Sequence, residues 1–130
     1  MKNFAFLAFI LLLFSACQKE DITPAIFDSS DGITRLYVNV SFNDCYSGQN
    51  CDASSSIPVY NADVYLYEKK EGVVDGEGAV LHDLTNGGGI AKFENMESKK
   101  YVLEVNCQQG NSEQEVYIEA GKTTKVNIKY

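Results

Sequence analysis

The sequence contains one histidine, His82, so neither a histidine-based catalytic triad nor a multi-histidine metal site can be assembled within the chain. No segment sustains a 3.6-residue apolar period for more than two turns, which argues against helices. Basic residues are scarce: 11 Lys and Arg stand against 18 Asp and Glu, for a net charge of −7. An acidic surface repels phosphate backbones and anionic headgroups, so nucleic acid and peripheral membrane binding are not expected. The longest apolar run, Phe4 to Phe14, is too short to cross a membrane. At ~1.5 Å per helical residue it covers about half of the ~30 Å hydrocarbon layer. Asp75-Gly76-Glu77-Gly78 lacks the spaced oxygen ligands and terminal bidentate acid of a calcium loop and reads as a solvated loop. With no nucleophile–base pair, and nothing that singles out two acids for glycoside hydrolysis, neither catalysis nor a cofactor is expected.

What is present begins with a secretory layout. Lys2 precedes the apolar run, and small residues Ser15 and Ala16 lead to Cys17. Phe14-Ser15-Ala16-Cys17 resembles the lipobox of bacterial lipoproteins, although Phe14 stands where leucine is most often found. The resemblance implies cleavage before Cys17 and acylation of both its thiol and its new amine. Gln18-Lys19-Glu20-Asp21 is similar to the signal that sends lipoproteins of Bacteroidota to the outside of the outer membrane. The expected organisation is a signal peptide over 1–16, a lipidated tether over 17–32 and one domain over 33–130. Ile26-Phe27 is the only apolar pair in the tether and a candidate to dock on the domain.

From Ile33 onward the period is two. Leu36, Val38, Val40 and Phe42 alternate with Arg35, Tyr37, Asn39 and Ser41, the mark of a strand with one buried face. A long loop over Asn43 to Ser56 follows. A second strand runs from Ile57 through Ala62, Val64 and Leu66, with Asp63, Tyr65 and Tyr67 outward. After a charged loop over Glu68 to Gly78, short strands are expected over Ala79–Leu84 and Ile90–Phe93, joined by a tight turn at Asn86-Gly87-Gly88-Gly89. Tyr101, Leu103 and Val105 set a fifth strand whose parity places Cys107 on the buried face. Val116 with Ile118, and Val126 with Ile128, complete two more. Seven short strands without helices predict an all-β sandwich or barrel.

Pro58-Val59, Ala62-Asp63-Val64, Thr85-Asn86 with Gly89 and Phe93, Asn95-Met96, and Tyr101 with Leu103 together resemble the carboxypeptidase-regulatory-like and Cna-B-like modules. The resemblance implies a seven-stranded transthyretin-like (prealbumin-like) β-sandwich. It departs at Lys99-Lys100, where the family usually has glycine. Some relatives close a Lys–Asn isopeptide bond, but the first strand here offers Arg35, whose guanidinium stays protonated and cannot be that nucleophile. Asn127 then reads as a solvent-facing residue.

With Cys17 committed to lipid, Cys45, Cys51 and Cys107 remain in an oxidising compartment, where a disulfide is expected from any one of three pairings. In the transthyretin-like arrangement either loop cysteine could reach Cys107. Tyr37, Tyr65 and Tyr67, outward by parity, are the candidate binding aromatics, because tyrosine offers contact area at small entropic loss. His82 reads as a surface or edge histidine. The expected function is a non-enzymatic outer-membrane lipoprotein, exposed at the cell surface and serving as a binding or accessory module. Its partners would be the membrane, through the lipid anchor, and a protein or glycan. The alternative is a structural assembly lipoprotein of an envelope complex, either a secretion-system anchor or a fimbria-related component.

Overall fold

A computed structural model describes residues 24–43, 56–72 and 75–130. They form β1 (Ala25–Asp28), β2 (Arg35–Asn43), β3 (Ser56–Pro58), β4 (Asp63–Tyr67), β5 (Leu81–Leu84), β6 (Ile90–Glu94), β7 (Lys100–Cys107), β8 (Gly110–Tyr117) and β9 (Lys122–Lys129), with no helix among the described residues. Two sheets face each other. Sheet A runs β1-β9-β2-β3, with β6 beside the first half of β2; sheet B runs β5-β4-β7-β8. All pairings are antiparallel except β2 with β9.

The alternating residues of β2, β4, β7 and β9 explain the sandwich. Leu36, Val38 and Val40 from sheet A meet Val64, Leu66, Leu103 and Val105 from sheet B, and Val116, Ile118, Val126 and Ile128 close the core. Each gains by leaving water, about 1.5–3 kcal/mol for a fully buried aliphatic side chain. Cys107, with Phe42 and Tyr130, packs against this cluster half-buried, as its parity predicts.

The described residues hold nine strands where the pattern predicts seven, and the two extra ones have separate causes. The second expected strand is really β3 and β4, which lie in different sheets. Asn61 takes a left-handed conformation (φ 63°) between them, and the buried Thr85 hydroxyl pins the crossover. That hydroxyl donates to the Val59 carbonyl (2.6 Å) and accepts from the Ala62 N–H (2.8 Å). The other addition is β1, which lies inside the stretch read as a tether and pairs four residues with β9. Among the described residues, sheet A thus includes Ala25–Asp28, which precede Ile33.

The Asn86–Gly89 turn forms as predicted and also sets the packing. Gly89 has φ 73°, and an added Cβ would collide with the Val40 carbonyl oxygen and with Pro58. Its own carbonyl accepts from the Val40 N–H at 2.7 Å. At the open edge between the sheets, the Asp83 carboxylate accepts from its neighbour Leu84 N–H (2.9 Å) and from Lys92 N–H (3.1 Å), linking β5 to β6.

Candidate functional site

A sandwich with filled sheet interfaces offers its outer faces for contact, and here the two differ. On β2, burial of Leu36, Val38 and Val40 turns Arg35, Tyr37 and Asn39 outward. Strand register then sets Lys125 on one side of Tyr37 and Lys92 on the other, with Asn127 and Ile90 flanking Asn39. Neighbouring strands lie ~4.8 Å apart, so the row Lys125, Tyr37, Lys92 spans about 10 Å across the sheet. The Lys92 ammonium sits 5.6 Å from the Tyr37 ring centroid, and Lys125 lies 5.1 Å from that of Phe27 on β1. Asn39 donates to the Asn127 side chain at 3.3 Å.

Charge on this face is predominantly positive. Arg35, Lys92, Lys125 and Lys129 share it with Glu94. Arg35 is held by Glu94 (2.9 Å) and by Asp31 from the β1–β2 connection, and Lys92 by Glu94 (2.7 Å). Hydrogen bonds from Arg35, then Ser29 and the Ile33 backbone, keep the Asp31 carboxyl well below the carboxylate range. Glu94 is lowered by Lys92 and Arg35. Among the described residues, Lys125 and Lys129 have no carboxylate within ion-pair distance.

The outer face of sheet B is acidic and partly covered. Tyr67, Glu104 and Glu113 share that face by register, and Lys70 and Gly76, from beyond β4, lie against it. Glu104 is 0% exposed although it points away from the core. Lys70 donates to its carboxylate and to Glu113 (2.8 Å), and Asn106 donates to it at 2.9 Å. Burial pushes the Glu104 carboxyl up, but hydrogen bonds from Lys70, Asn106 and Tyr67 outweigh it, so the net shift is downward. The same bonds, Glu104 first, raise Lys70.

The predicted binding tyrosines separate accordingly. Tyr37 lies half-buried at the centre of the open face. Tyr67 does not face solvent: it is 0% exposed, and its hydroxyl accepts from the Gly76 N–H (2.7 Å) and donates to Glu104 (3.4 Å). Parity is right in turning it off the core, but the overlying chain shuts out water. Tyr65 is half-buried, stacked on His82 (centroids 4.5 Å apart) with Gly76 against its ring. His82 contacts Asp63 at 2.9 Å on the surface. Asp75–Gly78 forms a turn that Gly76 anchors to Tyr67.

Cys17, Gln18, Lys19, Glu20, Asp21, Cys45 and Cys51 lie outside the described residues. Cys107 carries a free thiol. Asn127 faces solvent as expected. Among the described residues, no group of three or more His, Cys, Asp or Glu side chains is placed to hold a metal ion. Sequence reading missed Lys92 and Lys125 as neighbours of Tyr37, and Lys129 further along the same face. They share its outward parity, but only the strand order brings them together.

No protein family model matches the sequence, and neither does any curated protein. Among solved structures, the chain is similar to a minor pilin of the Gram-positive pathogen Streptococcus agalactiae, with 21% identity and a TM-score of 0.54 over 75% of this chain and 44% of that one. It is also similar to the shaft pilin SpaA of Lactobacillus rhamnosus GG, with 13% identity and a TM-score of 0.52 over 75% of this chain and 49% of that one. The chain spans less than half the length of either protein. At such identities the likeness shows a common β-sandwich fold.

Proposed function

We propose that the chain is a non-enzymatic, lipid-anchored β-sandwich displayed on the outside of a bacterial outer membrane, where it serves as a binding and accessory module. The observation that carries this reading is the open face of sheet A, where Tyr37, Asn39, Asn127, Lys92 and Lys125 lie in register with no chain folded over them among the described residues. Cys17 supplies the anchor, by its place after an apolar run and two small residues. Gln18 to Asp21 supply the outward address. Ala25 already belongs to sheet A, so the eight steps from Cys17 span at most ~28 Å and hold the sandwich close to the lipid. The carboxypeptidase-regulatory-like or Cna-B-like character belongs to this same proposal.

A second reading, a structural component of an envelope or fimbria-related assembly, is favoured by the fold shared with pilin subunits. Radiolabelled palmitate should enter the wild-type chain and not Cys17→Ala. Protease added to intact cells should remove the wild type and spare a variant with alanine at 18–21. Label in Cys17→Ala refutes the anchor, and equal shaving refutes the address. Pull-down of the anchored protein separates the two readings: one stoichiometric envelope complex favours assembly, and a soluble glycan or foreign protein favours binding.

A further inference from the structure

We infer that the outer face of sheet A is a docking surface for an acidic polysaccharide, laid across Tyr37 and held by Lys125 and Lys129. This rests on reading the chain as a binding module and names its ligand class. In a chain of net charge −7 most cations are consumed internally: Arg35 and Lys92 by Asp31 and Glu94, and Lys70 by Glu104 and Glu113. Among the described residues, Lys125 and Lys129 are the exceptions on sheet A, and both are exposed on the same face of β9. Four residues of strand separate them by about 13 Å.

That spacing chooses among anions. Duplex nucleic acid places a charge every ~1.7 Å along its axis, far denser than two cations about 13 Å apart can match. A polysaccharide with one carboxylate per sugar or per repeat leaves neutral, hydroxyl-rich stretches between its charges. The face is equipped for those stretches. The Tyr37 ring offers an apolar platform with a polar tip at the middle of the sheet, and the Asn39–Asn127 amides in the adjacent row carry donors and acceptors suited to hydroxyl groups. A lipid surface is a poorer match, because the large exposed apolar residues, Phe27 and Ile90, stand at opposite margins of the sheet and form no continuous band.

The test uses the full chain, titrated in non-ionic detergent with polygalacturonate and with the neutral glucan pullulan, and, after removal of the detergent, with phosphatidylglycerol vesicles. Polygalacturonate should bind, more weakly as salt rises from about 0.05 to about 0.5 M. The exposed pair Lys125→Gln/Lys129→Gln should weaken binding about tenfold without moving the thermal melt, the loss expected when two exposed charge contacts go. Lys69→Gln, a highly exposed lysine in the segment after β4, should bind as wild type. The inference is overturned if polygalacturonate does not bind, if the double variant binds as wild type, or if pullulan binds equally. It is also overturned if the two lysines govern vesicle binding or self-association on sedimentation instead. A chain that takes palmitate and is shaved from cells yet ignores polygalacturonate refutes the ligand and leaves the surface module standing. Glycan binding by an unlipidated, protected chain does the reverse.

Discussion

The two outer faces of the sandwich are built by the same alternation and put to opposite ends. On sheet B, outward side chains are tied to one another and covered: Lys70 reaches the buried Glu104, Gly76 sits on the Tyr65 ring, and Tyr67 is sealed from water. On sheet A, the outward row stays open and keeps two lysines without carboxylate partners among the described residues. Net charge hides this division. An overall value of −7 argues against anionic partners, yet among the described residues the outward row of sheet A carries Arg35, Lys92, Lys125 and Lys129 against Glu94.

The sharpest way to break the comparison is at Lys70. Lys70→Ala strands the Glu104 carboxylate in a site that is 0% exposed, and denaturant unfolding should show a loss of about 3 kcal/mol or more. Lys70→Met with Glu104→Leu should recover most of it, since removing both charges removes the desolvation penalty. If Lys70→Ala proves neutral, the covered face is not held by this pair.

Acid should act on the same face. Glu104 has a folded pKa below its ordinary value of 4.5, so its contribution is complete above that value and is lost as pH falls through the lower folded one. Stability should stay level with respect to this group from pH 7 to about 5.5 and fall below about pH 4.5. The Lys70→Met/Glu104→Leu chain should fall less steeply over that range in urea melts. Equal slopes would remove Glu104 as a cause.

Smaller effects sharpen the contrast. His82→Ala removes a stacked ring from Tyr65 and should cost about 0.5–1 kcal/mol. On sheet A, Lys125→Gln/Lys129→Gln should change stability by less than about 0.5 kcal/mol, as expected for open surface positions. A larger loss there would mean that the lysines hold the fold and are not free for a ligand.

The buried half of this fold was legible because its signal is local. Leu36, Val38 and Val40, or Leu103 and Val105, carry period two in consecutive positions, and one wet face makes the alternation clean. Tyr67 shows where that logic stops. Parity places it on the outer face, but whether that face is wet depends on a segment that returns over it. Glu104 is hidden for the same reason, since its partner Lys70 lies 34 positions away. The four residues of β1 are all exposed and show no burial period, so only backbone pairing reveals the strand. The row through Tyr37 needed topology as well: β9 arrives beside β2 in parallel, from the far end of the chain.

The pairing of β1 with β9 also decides how the molecule would bear a pull. Tension along the segment preceding Pro24 reaches Ala25 first and meets four backbone rungs on a strand whose other edge has no partner among the described residues, well before it meets the tightly packed interior. Releasing residues 25–34 would add about ten residues of slack, roughly 30 Å, with β2 still seated beside β9. Were the molecule held by its leading end, as proposed above, this seam would be the first to part, ahead of the packed interior.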